Sequence, residues 1–175
     1  MRIDIVTTPK RLPGRACRLI ATGFGAGLAP VAPGTFGTLL GIPIYLLLHP
    51  LPVGVYIAIT AALFVAGIVV CECAERNMAR HDAPEIVWDE IVGYLITMAF
   101  APPGWLWIAV GFVLFRLFDI WKPFPIRRID RTLPGGFGTM LDDALAGIYA
   151  SVVLQLLAAL MSEYSAERAP LAVWF

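Results

Sequence analysis

The sequence predicts an all-α fold, a polytopic membrane helical bundle, and three observations predict it. First, the 175 residues are 59% hydrophobic and 15% charged, with a mean hydropathy of +0.78, whereas soluble domains carry about 25% charged residues and about 45–50% apolar ones. Second, the excess falls in blocks: no Asp, Glu, Lys or Arg occurs from Leu19 to Cys71, from Ile91 to Phe115, or from Ala144 to Ser162. A membrane span needs roughly 20 mainly apolar residues, so these blocks have membrane dimensions. Third, no stretch of any length alternates polar and apolar residues as a strand would. The zero net charge gives no reason to expect a nucleic-acid partner.

Residues 1–18 form a basic, partly irregular leader with Arg2, Lys10, Arg11, Arg15 and Arg18, in which Pro9 and Pro13 oppose one continuous helix. The Gly- and Pro-rich sequence that follows does not resemble the compact core of a cleaved signal. A single membrane-embedded domain is expected over 19–175. Within it, residues 23–38, GFGAGLAPVAPGTFGT, read as a re-entrant or cytoplasmic loop. An apolar helix is expected from Phe36 to Leu48, with Pro43 kinking it. After the Pro50-Leu51-Pro52 turn, residues 53–71 make the cleanest span. Residues 72–90 connect, helical from Glu72 to Arg80 and broken near Pro84.

The block 91–115 fits one kinked span or a short helical hairpin turning at Ala101-Pro102-Pro103-Gly104. The positive-inside rule puts the basic leader in the cytoplasm. A hairpin then leaves the acidic residues before it and the cationic residues after it on that same side, and is preferred. Residues 144–161 supply the last span. Three cysteines, Cys17, Cys71 and Cys73, suggest no disulfide framework, and the Cys71–Cys73 pair is expected to pack at a helix end.

Against this apolar background the placement of ionisable groups is informative, because charges at membrane depth are costly and mark function. Helical spacing in D-A-P-E-I-V-W-D-E, 82–90, puts Glu85 and Asp89 on one face, with Glu90 about 100° around and Asp82 leading in. Such carboxylates raise one another's pKa unless a cation binds them, and oxygen ligands suit Mg²⁺, Mn²⁺ or Ca²⁺. Acids favouring a helix N-terminus are the plainer reading. In FRLFDIWKPFPIRRIDR, 115–131, Arg116, Asp119 and Lys122 recur at intervals of three before Pro123 stops the helix. Arg116 and Lys122 would clamp phosphate oxygens, or the three would form an internal salt-bridge trio. Arg127, Arg128 and Arg131 form a basic patch facing headgroups, with Arg127 also counted among the substrate-binding residues. Finally, GGFGTMLDDALAG, 135–147, follows three permissive glycines, whose amides suit an anion, with Asp142 and Asp143. The loop 32–38 offers the Thr35 and Thr38 hydroxyls and flexible amides, a weak signal taken alone because Gly and Pro also simply break membrane helices. His49 and His81 read as incidental.

The ordered set GAGLAPVAPGTFGT, DAPEIVWDEIVGY, FRLFDIWKPFPIRRID and GGFGTMLDDALAG resembles the phosphatidylglycerophosphatase A family over residues 23 to 147. The resemblance implies a Mg²⁺-dependent phosphatase of the bacterial inner membrane. Such an enzyme removes the terminal phosphate of phosphatidylglycerophosphate to give phosphatidylglycerol in phospholipid biosynthesis. Asp89, Glu90, Asp142 and Asp143 fall on the family's acidic pairs and Asp82 on its leading aspartate. Asp119 and Lys122 fall on its F-D-x-x-K-P element, and Gly34, Thr35 and Arg116 on further motif positions. The expected metal ligands are therefore Asp82, Asp89, Glu90, Asp142 and Asp143. Asp89, Asp119, Lys122 and Asp142 are the expected catalytic groups, and Gly34, Thr35, Arg116, Lys122 and Arg127 the expected substrate contacts. Metal-activated water is the favoured chemistry, with an aspartyl nucleophile, Asp119 or Asp142, as the alternative. The rival function is a divalent-cation transporter or channel using the same carboxylates.

Overall fold

The computed structural model describes residues 14–79 and 83–168, and every described element is helical. In chain order they are α1 (Gly14–Ala21), a 3₁₀ turn (Gly23–Leu28), α2 (Pro33–Leu48), α3 (Val53–Met78), α4 (Trp88–Met98), α5 (Trp105–Trp121), α6 (Ile126–Thr132) and α7 (Gly135–Arg168). The leader's first thirteen residues, together with His81 and Asp82, lie outside the described residues.

The 91–115 block is two helices. α4 ends at Met98, Pro102 and Pro103 deny the chain further helical donors, and Gly104 takes φ 123° to restart it. α5 runs on to Trp121, with Lys122 in the left-handed conformation as its cap and Pro123 behind it. Two expectations for the Gly-rich segments are corrected. α2 begins at Pro33, not Phe36, because a proline at the first helical position gives up a donor that would be unpaired there anyway. α7 begins at Gly135, so Gly135, Gly136 and Gly138 form its first turn rather than a loop. The absence of a side chain is used there for approach: a Cβ on Gly136 would run into the Ile68 carbonyl and Glu72 backbone of α3.

α4 is the axis of the molecule. It packs against α2, α3 and α7, and Val92, Tyr94, Leu95 and Met98 are buried to within a percent of completeness. Gly93 and Gly147 bring α4 and α7 together. A Cβ on Gly147 would meet the Gly93 carbonyl, and the Thr97 hydroxyl donates to the carbonyls of Gly93 (3.0 Å) and Gly147 (3.4 Å). Small residues let helices close where water cannot assist. Tyr56 Oη donates to the Leu95 carbonyl (2.7 Å) and Tyr94 Oη to that of Ile108 (3.2 Å), so both of these tyrosine hydroxyls are satisfied. His49 serves this layer, its Nδ1 3.2 Å from Tyr45 Oη.

Two helices, Val53–Met78 and Gly135–Glu163, are long and apolar enough to cross a membrane. Their surroundings separate them from the core helices of a soluble protein, which are mostly covered. Only 22% and 28% of their most apolar windows are buried, leaving Val65, Val69, Leu156 and Leu160 exposed. An apolar surface of that extent calls for a lipid or protein cover. α2 is apolar but shorter, about 24 Å at 1.5 Å per residue.

The cysteines are also corrected. Cys17 of α1 and Cys73 of α3 form a disulfide with a Cα–Cα distance of 5.9 Å, and Cys71 alone is free and buried. The expected pair Cys71–Cys73 diverges because residues two apart on a helix point to different faces.

Candidate active site

The polar residues converge where α4 begins and α5 ends. Asp89 and Glu90 occupy the first turn of α4, Arg116 and Asp119 the last turns of α5, and Lys122 its cap. α7 contributes Asp142 and Asp143, and α2 contributes Gly34 at its second position. Together they line a cavity of about 280 Å³. Glu85 is placed before α4 starts and does not line it, which breaks the predicted Glu85–Asp89 face.

Asp89, Glu90 and Asp143 each offer a carboxylate oxygen, and these oxygens all lie within 4.8 Å of one another. The site is nearly dry: Asp89 and Asp143 are 7% and 4% exposed. Glu90 Oε2 and Asp143 Oδ2 are buried with no hydrogen-bond partner. Buried charge without a partner is strongly unfavourable. Burial first, then the Asp143 charge, push the Glu90 carboxyl above the usual carboxylate range, with Arg116 opposing. An all-carboxylate set with idle oxygens fits a hard divalent cation.

Cations stand on the other side. Arg116 Nη1 donates to Asp119 Oδ2 at 2.5 Å and lies 3.9 Å from Glu90 Oε1, while its Nε has no hydrogen-bond partner. Lys122 Nζ donates to Asp142 Oδ2 (2.5 Å) and to Asp130 Oδ1 (2.8 Å). Burial pulls the lysine down, but the Asp142 charge and the two hydrogen bonds outweigh it and hold the ammonium above its ordinary range. Lys122 is therefore cationic at any physiological pH.

Of the residues picked from sequence, Asp89, Glu90, Asp143, Asp119, Asp142, Arg116, Lys122 and Gly34 meet in this cavity. Asp142 does not join the three converging carboxylates; it is turned to Lys122. Thr35 is half-buried in the first turn of α2 and is not part of the lining, and Arg127 is exposed on α6, facing a neighbouring cavity. Asp82 lies outside the described residues. Asp130 escaped the sequence reading because no helical interval links it to Lys122; the prolines at 123 and 125 fold α6 back. The anion expected on the Gly135–Gly138 amides is an internal one: Gly136 N–H donates to Glu72 Oε2 (2.8 Å), and Thr139 Oγ1 donates to buried Glu75 Oε1 (2.6 Å).

Gly34 leaves the cavity its depth. A Cβ there would overlap Glu90 Oε1 and sit 2.9 Å from Arg116 Nη1. Gly34→Ala is expected to lower kcat/KM by roughly 10²-fold, as misplacing reacting groups by an ångström does, with the apparent Tm in detergent nearly unchanged. Steady-state kinetics beside a thermal melt would check it; a large fall in Tm would instead mark the glycine as a packing residue.

The family model described as phosphatidylglycerophosphatase A matches residues 19–158, four-fifths of the chain, a range that takes in all four motif segments. The chain belongs to the phosphatidylglycerophosphatase A family. Two relatives carry that name: one from Escherichia coli is 43% identical over 137 residues (78% of this chain, 80% of the relative), and one from Haemophilus influenzae is 48% identical over 138 (78% and 85%). A Bacteroides thetaiotaomicron relative with the provisional name phosphatidylinositol-3-phosphatase is 40% identical over 144 residues (78% and 89%). No solved structure matches the chain. Membership of the phosphatidylglycerophosphatase A family makes the chain a phosphatase, a phosphoric monoester hydrolase.

Proposed function

We propose that this enzyme hydrolyses the terminal phosphomonoester of phosphatidylglycerophosphate, releasing phosphatidylglycerol and phosphate, in the phospholipid biosynthesis of a bacterial inner membrane. One observation carries the reading: three converging carboxylates, Glu90 and Asp143 each with an idle oxygen, face an arginine and a lysine across one small cavity. That is the charge pattern of a phosphomonoester site, anionic where a cation is held and cationic where phosphoryl oxygens lie.

Asp89, Glu90 and Asp143 would hold Mg²⁺. When bound, the ion neutralises phosphate charge and lowers the pKa of a bound water. Arg116, kept in place by Asp119, presents its guanidinium to the phosphoryl oxygens as a fork, and Lys122 supplies a point charge beside it. Asp142 aims Lys122 at the cavity. The low exposure of the site excludes bulk water and strengthens each of these interactions.

Topology follows from the same residues. α3 and α7 cross the bilayer, α2 inserts, and the α4–α5 hairpin dips in and returns, so that the acidic and basic groups share the cytoplasmic face. The oily flanks of α3 and α7 meet lipid. Nothing favours the rival cation pathway, since Arg116 and Lys122 would repel a permeating ion at this mouth.

The test is phosphate release from phosphatidylglycerophosphate by purified protein in neutral detergent. Release is expected to stop in EDTA and to return with added Mg²⁺. Equal rates in EDTA would remove the metal from the reading, and no release from folded protein would remove this substrate.

A further inference from the structure

The acidic cavity has a neighbour. A second cavity of about 560 Å³ opens on the far side of Lys122, lined by Arg127, Arg128 and Arg131 of α6 and by the aromatic rings of Trp121 and Phe124. Among the described residues Lys122 is the one that lines both. Their charges differ in kind. The first cavity is built around carboxylates. Among the described residues the second has four cations in its lining and no acid. Arg127 Nη2 donates to the Trp121 carbonyl (3.2 Å), which ties α6 to the end of α5 and keeps the arginines over the cavity. Trp121 and Phe124 are 60% and 77% exposed. Large rings so exposed beside arginines mark the boundary between apolar and aqueous phases, where a lipid headgroup lies.

Resting on the reading above, we infer that the second cavity binds the phosphodiester of the same lipid whose terminal phosphomonoester occupies the first. The substrate carries two phosphates joined by a glycerol bridge, and the protein presents two cation-lined cavities joined by one lysine. The phosphomonoester needs the carboxylate-held ion because its bond is broken. The phosphodiester is only held, and arginines alone suffice for that. The pairing makes Arg127, Arg128 and Arg131 specificity residues: a lipid with a monoester and no diester fills one cavity and leaves the other empty. General attraction to an anionic membrane surface is the competing use of the same arginines, and the test separates the two.

The double variant Arg127→Ala/Arg131→Ala would be assayed in neutral-detergent micelles with no anionic lipid besides phosphatidylglycerophosphate and, in the competition runs, one competitor. Two competitors would be added separately: phosphatidylglycerol, which has the diester alone, and phosphatidate, which has the monoester alone. The inference expects KM to rise about tenfold, kcat to stay within twofold, inhibition by phosphatidylglycerol to weaken about tenfold, and inhibition by phosphatidate to hold. Arg127→Lys/Arg131→Lys should recover part of the KM. An unchanged KM, a wild type indifferent to phosphatidylglycerol, or equal weakening of both competitors overturns it, the last in favour of surface attraction. A wild type that releases no phosphate overturns the substrate assignment as well, whereas an active wild type with an unmoved variant overturns this inference alone.

Discussion

Asp143→Asn is expected to lower phosphate release by roughly 10³-fold and yet to raise the apparent Tm of the protein in EDTA. Loss of function follows from the ligand geometry. Asp143 is one of three carboxylates within 4.8 Å, and its Oδ2 is buried without a partner. The several kcal/mol of charge stabilisation that a bound ion supplies corresponds to roughly 10³ in rate, at about 1.4 kcal/mol per tenfold. The gain in stability follows from the same burial. Without the ion, Asp143 sits beside Asp89 and Glu90 in a dry site, and like charges there oppose folding. The amide keeps the shape and removes one charge. A stabilisation of about 1–3 kcal/mol is expected, since uncompensated buried charge costs about 3–5 kcal/mol. Adding Mg²⁺ should then raise the wild-type Tm, by the linkage that stabilises any protein through a ligand of its folded state, and leave the variant's nearly still. Melts of both proteins across a Mg²⁺ titration, with activity measured on the same samples, check each part. A variant less stable than wild type in EDTA would mean that Asp143 is held by hydrogen bonds the amide breaks, and the metal assignment would fail with it.

That prediction separates Asp143 from Asp142, which the sequence presents as a unit. Adjacent helical residues point about 100° apart, and here one turns to Asp89 and Glu90 while the other turns to Lys122. What sequence made legible was whatever depended on local chemistry. The charge-free run 53–71 is the body of α3, which continues unbroken through the expected connector to Met78; Pro102-Pro103-Gly104 is the tip of the α4–α5 hairpin, and the interval of three that joins Arg116, Asp119 and Lys122 is the end of α5. The starts of α2 and α7 were hidden because glycine and proline carry two meanings. As breakers they suggest loops. Here Pro33 opens a helix, and Gly34 and Gly136 admit neighbouring atoms where a side chain would collide. Contacts made by distant segments left no local trace at all: Cys17 with Cys73, Glu75 with Thr139, and Asp130 with Lys122. Of these the last touches the chemistry directly.

Lys122→Met is expected to remove both activity and stability, and a second substitution should return only one of them. Lys122 occupies a left-handed cap at φ 45°, from which its ammonium reaches Asp130 of α6 and Asp142 of α7. The side chains of Lys122, Asp130 and Asp142 are 21%, 28% and 7% exposed, so solvent screens the pairs only in part. Taking away the cation leaves the carboxylate of Asp142, the most buried of the three, without its opposing charge. Breaking a buried pair costs about 3–5 kcal/mol, and the lower end applies here because Asp130 keeps some water. Rate should fall by roughly 10²–10³-fold, the usual loss when one group aimed at developing charge is removed. Lys122→Met/Asp142→Asn neutralises the Asp142 carboxylate. It should recover most of the lost stability, read as apparent Tm, while phosphate release stays low, because the lysine's charge beside the phosphoryl oxygens is gone and Arg116 alone remains there. If the double variant regained activity along with its Tm, Lys122 would be a structural tie between α5, α6 and α7. The phosphate contact would then fall to Arg116 alone. The low rate in a refolded double variant is the outcome that makes Lys122 part of the reaction, since stability and charge at the phosphate then vary independently.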